Sequence, residues 1–262
     1  MSLHHVRRGS GSEPLLLIQG MSGHSAHWGE PFLSALDPHF DVIAIDHRNT
    51  GGSPRVEGPF TLGDLAEDAV QALGELGVPT AHVMGISMGG MVAQEVVLRH
   101  PGLVRTLVLG CTYAGGPEGS LSAPEVLRTL SDGMGSGDRE TALRAAWSVN
   151  VSPEFAADEA HYAAFRETSL ARPVAVPVIM AQMRAIGRHD TSARLGEIRA
   201  PTLVIHGTAD QMLPASNGEA IARAIPGAHL ALLEGTGHMF WIEEPERSAR
   251  LVTEHCLAAA AG

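Results

Sequence analysis

The sequence of 262 residues contains no lysine; all 18 of its basic residues are arginine. Without lysine no Schiff base can form on the chain, which excludes pyridoxal phosphate enzymes and class I aldolases. The phosphate-binding lysine of a P-loop is missing for the same reason. Basic clusters are absent too. With 29 acidic side chains the formal net charge is −11, a poor electrostatic match for nucleic acid or an anionic membrane. Only two cysteines occur, Cys111 and Cys256, too far apart in sequence to suggest a disulfide framework. No long hydrophobic run occurs near the start. Leu15 to Ile18 is far shorter than a signal core or a membrane span, so the expected location is the cytoplasm.

What is present reads as a globular α/β protein. Short runs rich in valine, isoleucine and leucine recur at Leu15 to Ile18, Val42 to Ile45, His82 to Met84, Val104 to Leu109, Thr202 to His206 and Leu230 to Leu233. Continuous rather than alternating apolar runs indicate strands buried on both faces, as in parallel sheets. Helical patterns lie between them. The clearest starts at Thr61, with Asp64 completing a capping box, and carries Leu62, Leu65, Ala66, Ala69, Val70, Leu73 and Leu76 on one stripe up to Gly77. The alternation predicts a sheet covered by helices on both faces. From 115 to 199 the strand-like runs stop and alanine-rich helical stretches take over. There Gly133 to Gly137 reads as a loop, and Pro173 and Pro177 punctuate the end. This segment is expected to be a helical lid inserted in a core formed by 1–114 and 200–262. Apart from the Ala258 to Ala261 tail, no low-complexity tract or internal repeat is evident.

Three motifs carry chemistry. Gly85-Ile86-Ser87-Met88-Gly89 follows an expected strand and precedes an apolar helix, the setting of a nucleophile elbow. The match alone is weak in a glycine-rich chain; the strand–turn–helix context makes it specific. Asp210 follows the Thr202 strand, and His238 follows the Leu230 strand. Each residue ends a different strand, so all three can converge on one sheet edge. His238 would accept the proton of Ser87, and Asp210 would fix the histidine tautomer and stabilise the imidazolium. A tetrahedral intermediate needs two donors. The backbone N–H of Met88 is one candidate, and that of Met21, in the loop after the Leu15 strand, is the other.

These motifs, in the chain order Ser, Asp, His, resemble the α/β-hydrolase superfamily from about Leu15 to Glu246. Asp46-His47-Arg48 with Gly51 and Ser53 is similar to its D-x-R-G-x-G-x-S loop, with Asn49 in place of a usual glycine. The run from Gly85 to Gln94 resembles the lid-bearing branch of enol-lactonases, methylesterases and non-haem haloperoxidase-like proteins. The family's His-Gly pair at the oxyanion loop is Gln19-Gly20 here. The family usually opens with a β-hairpin, whereas only Leu3 to Arg8 precedes what would be its third strand, so the first edge strand is expected to be missing.

The resemblance implies a cofactor-free serine hydrolase of small apolar carboxylic esters or lactones. Gln19, Met212, Met239, Trp147 and Met183 are the candidate substrate contacts, since flexible apolar side chains beside the motifs suit a loosely specified pocket. Perhydrolysis, C–C bond hydrolysis and a non-catalytic ligand-binding role would use the same fold and triad. Ser87 excludes the dehalogenase and epoxide-hydrolase branches, which need aspartate there. The missing lysine counts against plant-type hydroxynitrile lyases, which rely on one near the site. The 14 histidines include a His24-x-x-His27 pair at helical spacing, but no third ligand follows from the pattern and no metal is expected.

Overall fold

A computed structural model describes residues 2–260; Ala261, the end of the alanine tail, lies outside them. Seven strands form one sheet: β1 (His5–Arg8), β2 (Glu13–Ile18), β3 (Phe40–Ile45), β4 (Ala81–Ile86), β5 (Val104–Gly110), β6 (Thr202–Gly207) and β7 (His229–Leu233). Their order is β1-β3-β2-β4-β5-β6-β7. All neighbours pair parallel except β1, which runs antiparallel to β3. Among the described residues no strand pairs outside β1, so the short segment before the first apolar run is the sheet's outer edge.

Helices cover both faces. In chain order they are α1 (Glu30–Leu36), α2 (Leu62–Glu75), α3 (Met88–Arg99), α4 (Pro124–Gly135), α5 (Arg139–Asn150), α6 (Pro153–Ala156), α7 (Glu159–Ala171), α8 (Val176–Ile186), α9 (Ser216–Ala224), α10 (Phe240–Glu243) and α11 (Pro245–Ala260). The two-residue period of the strands divides the core. Leu16 and Ile18 of β2 join Ile43, Val83 and Leu107 against α2 and α3, while Leu15 and Leu17 join Val42, Met84 and Val108 against α1, α10 and α11. Both sets are fully buried, each such side chain contributing roughly 1.5–3 kcal/mol.

Local signals explain the helix ends. Thr61 Oγ1 accepts from Asp64 N (3.1 Å), and Asp64 Oδ2 accepts from Thr61 N (2.7 Å), so the capping box opens α2. Gly77 follows at φ 69, which stops the helix. Two expectations are corrected. Gly133 to Gly137 is not all loop, because α4 continues to Gly135. Gly133 lies where an added Cβ would stand 2.6 Å from the Ala145 Cβ, so it serves close contact between α4 and α5. Likewise Pro177 does not end the segment but sits in the first turn of α8, where its missing N–H costs nothing. Between β5 and β6 the chain forms α4 to α8 and a 3-10 turn, Ser192–Glu197, without a strand. A further correction concerns β7. As the sheet's other edge it leaves Leu230 and Leu232 exposed rather than buried on both faces.

Candidate active site

Ser87 stands between β4 and α3 at φ 52, ψ −124, a strained conformation for a residue with a side chain. The flanking glycines make the turn possible. A Cβ on Gly85 would lie 2.1 Å from the Gly89 carbonyl oxygen, and a Cβ on Gly89 would lie 2.1 Å from that of Ile18. The backbone is held from both sides: Ser87 N–H donates to Gly110 O (2.9 Å), and Thr112 Oγ1 donates to Ser87 O (2.7 Å).

Asp210 lies in the turn after β6 and is fully saturated. Oδ1 accepts from the backbone N–H of Met212 (2.8 Å) and Leu213 (2.9 Å). Oδ2 faces His238 Nδ1 at 2.7 Å and His206 Nε2 at 3.1 Å. Burial pushes this carboxyl up, but the two imidazoles more than offset it and hold it at about 2. His238 is buried in the loop after β7. That loop is fixed by Gly237 N–H donating to Glu243 Oε1 (2.9 Å) and Met239 N–H donating to Asn150 O (2.8 Å). Glu243 also accepts from the N–H and hydroxyl of Ser152, so the histidine loop is tied to the segment joining α5 and α6.

Cys111 completes the cluster, at φ 38 directly after β5. Its sulfur, an Asp210 carboxylate oxygen and a His238 ring nitrogen lie within 4.8 Å of one another, the one group of three possible metal-ligand atoms among the described residues. Burial pushes the Cys111 thiol well above its ordinary range and the Asp210 charge adds to this, so the sulfur stays protonated. With His238 Nδ1 and Asp210 Oδ2 already bonded to each other, the set is arranged for proton handling rather than as an open ligand site. His24 and His27 cap and enter a 3-10 turn, Ser25–Trp28, with ring centroids 4.1 Å apart. Both rings are held below the usual histidine range, primarily by burial, His27 to about 3.

The loop after β2 packs on the serine: a Cβ on Gly20 would lie 3.1 Å from Ser87 Cβ and 3.6 Å from Oγ. Within it Gly20 N–H donates to Gln19 Oε1 (3.2 Å), Ser22 N–H to Gln182 Oε1 (2.9 Å) and Gly23 N–H to Gly20 O (3.2 Å). Among the described residues the Met21 N–H has no acceptor, and neither has that of Met88, the first residue of α3.

The expected substrate contacts scatter. Gln19 is buried and turned onto its own loop, while Met212 and Met239 adjoin Asp210 and His238. Trp147 is buried among Phe155, Tyr162 and Phe165, and Met183 is exposed on α8. A cleft of about 450 Å3 opens elsewhere, between the 114–119 loop and α9, lined by Pro117, Ser192, Asn217 and Ile221; none of the residues above lines it. The D-x-R loop has a structural part. Asp46 accepts from Ser25 and Gly52 N–H, Arg48 pairs with Asp68, and Asn49 takes the left-handed φ of 68 in the glycine's place. Sequence reasoning missed Gln182, Glu243 and the placement of Cys111. None stands in a recognisable motif, and each reaches the site only through the fold.

Comparison with known proteins identifies the fold family. The family model described as "alpha/beta hydrolase fold" matches residues 13–245. The chain is 30% identical over 252 residues to a protein of Agrobacterium fabrum named carbamate hydrolase RutD, covering 92% of each. It is similar to the esterase RhEst1 from Rhodococcus sp. ECU1013, with TM-score 0.84, 25% identity, and coverage of 99% of this chain and 100% of that one. It is also similar to Est816, described as an N-acyl homoserine lactone degrading enzyme, with TM-score 0.76, 26% identity and 95% coverage of both.

Proposed function

The chain belongs to the α/β-hydrolase fold family, and on that premise we propose that it is a serine hydrolase of carboxylic esters or lactones working through an acyl-enzyme. The observation that carries this reading is the 2.7 Å contact between His238 Nδ1 and Asp210 Oδ2. It commits one ring nitrogen to the carboxylate as a donor and leaves Nε2 as the base. In this reading Nε2 takes the proton of Ser87 Oγ as the oxygen attacks the substrate carbonyl. The negative charge that develops on the carbonyl oxygen is met by the free N–H groups of Met21 and Met88, each such donor worth roughly 10²–10³ in rate. The imidazolium returns its proton to the leaving oxygen as the C–O bond breaks. Water, deprotonated by the same nitrogen, then releases the acid and Ser87. No cofactor enters the cycle.

We read the helices between β5 and β6 as a lid. What supports this is their attachment to two loops of the site: Gln182 to the loop after β2, and Asn150 and Ser152 to the histidine loop. A small apolar substrate would suit Met21, Met88, Met212 and Met239 beside the site. The relatives add a second reading, a carbamate, since an ester, a lactone and a carbamate all present a carbonyl carbon that passes through the same tetrahedral oxyanion. The test is labelling with a fluorophosphonate, together with a panel of p-nitrophenyl esters, lactones and carbamates run with and without hydrogen peroxide. Labelling at Ser87, ester or lactone turnover, and loss of both in Ser87→Ala are expected. A folded protein that is not labelled, or a fully active Ser87→Ala, overturns the proposal, and turnover dependent on peroxide replaces it with perhydrolysis.

A further inference from the structure

We propose that Gln182 of α8 is a positioning residue that holds the Met21 N–H in its catalytic orientation, so that seating of α8 completes the oxyanion site. The inference rests on the serine-hydrolase reading and extends it to a residue 160 positions from Ser22 in the chain.

The loop 20–23 has one bond of its own, Gly23 N–H to Gly20 O (3.2 Å), and is otherwise held by three anchors from outside it. Ser22 sits at φ 58, a left-handed conformation that a serine adopts only when its surroundings impose it. Two side-chain oxygens impose it: Gln19 Oε1 accepts the N–H on one side of Met21, and Gln182 Oε1 accepts the N–H on the other. His47 Nε2 adds an anchor at Gln19 O, 2.9 Å away. With both neighbouring N–H groups pinned, the peptide carrying the Met21 N–H has little freedom to turn. Of the three anchors only Gln182 comes from the β5–β6 helices.

The placement of Gln182 is also costly. It is fully buried, and its Nε2 has no hydrogen-bond partner among the described residues, which a stable core avoids. Meanwhile α8 packs Ala181, Ala185 and Ile186 on the core but leaves Val176, Met180 and Met183 exposed, so its apolar surface is only partly covered. Methionine at 182 would fill the same volume without the buried, unpartnered Nε2, at the cost of the acceptor for the Ser22 N–H. On packing alone it would be the better residue, so what the glutamine contributes is the acceptor opposite Ser22.

Gln182→Met and Gln182→Glu in the full chain separate the two roles. The methionine removes the acceptor at nearly constant shape, and the glutamate keeps an oxygen opposite the Ser22 N–H. Gln182→Met is expected to lower kcat for a p-nitrophenyl ester by about tenfold, part of the roughly 10²–10³ that complete loss of one oxyanion donor costs, since the Met21 N–H is loosened rather than removed. KM should stay within about twofold and Tm should be unchanged or higher, since only transition-state binding is lost. Gln182→Glu should retain most of kcat. Hydrogen exchange at the Ser22 amide should quicken about tenfold in the methionine variant alone. Wild-type kcat in Gln182→Met, an equal loss in Gln182→Glu, or unchanged exchange at Ser22 each overturns the proposal. If methionine crowds the site and the variant does not fold, Gln182→Leu is read by the same criteria. A wild-type protein that neither labels at Ser87 nor turns over any ester overturns the hydrolase reading and with it the role of Met21; the exchange measurement still decides whether Gln182 holds the loop.

Discussion

His238 Nδ1 lies 2.7 Å from Asp210 Oδ2, with both side chains buried. The pair makes two predictions for Asp210→Asn. An amide can turn its NH2 toward the ring and favour the tautomer that lacks a base at Nε2, so kcat at neutral pH should fall by roughly 10⁴-fold with the fold intact. Stability should respond oppositely with pH. Asp210 is held at about 2, below its ordinary 3.8, so its ionised form stabilises the fold above the ordinary value. That contribution drains away as pH falls through about 2. Thermal melts should show wild type more stable than Asp210→Asn near neutrality, with the gap closing toward pH 2. A gap that widens on acidification contradicts the assignment.

His206 is a second imidazole on the same carboxylate oxygen. Its Nε2 also lies 2.8 Å from Leu213 O; both partners are acceptors, so this nitrogen carries the proton and donates. In His206→Phe the Oδ2 oxygen loses one of its two imidazole donors and is held less firmly opposite His238, so kcat/KM for a p-nitrophenyl ester should fall severalfold with the fold intact. Equal kcat/KM in wild type and variant would show that His206 only fills space.

These two histidines also show how far the sequence could be read. Ser87, Asp210 and His238 stand out because each closes an expected strand, and strand ends are set by local runs of apolar residues and glycine. The Thr61 cap and the Gly77 stop are equally local. His206 was visible only as a strand-end residue; its bond to Asp210 depends on how the turn after β6 curls back. Gln182 and Cys111 carried no signal, because their partners lie on elements brought together by the sheet order and by the packing of α8. The exposure of β7 was illegible for a related reason: an apolar run does not say whether a neighbour will cover both sides.

Gly89 offers a test of the elbow itself. A Cβ there would stand 2.1 Å from Ile18 O, a backbone atom of the central sheet that cannot step aside. Gly89→Ala should therefore destabilise the protein by about 3 kcal/mol or more and lower Tm by roughly 6–12 °C. By contrast Gly74, with open space around its Cβ position, should accept alanine in α2 with a small gain from helix propensity, about 0.5–1 kcal/mol. Equal melting points for the two variants would mean that β2 does not approach the elbow as described.

The two cysteines should be silent to thiol reagents while the protein is folded. Cys111 is buried beside Asp210, and burial followed by that charge keeps its thiol well above the ordinary range. Cys256 is buried on α11, where Thr106 Oγ1 lies 3.3 Å from its sulfur, and burial raises it to about 12. It is the thiolate that attacks such reagents, and neither residue offers one near neutral pH. Titration with a chromogenic disulfide at pH 8 should find close to zero reactive thiols in the native state and both after unfolding in guanidinium. Rapid native modification that also abolishes ester turnover would place Cys111 on an open path to the site, and would require a gap beside His238 that the buried contacts of Cys111 and Asp210 exclude.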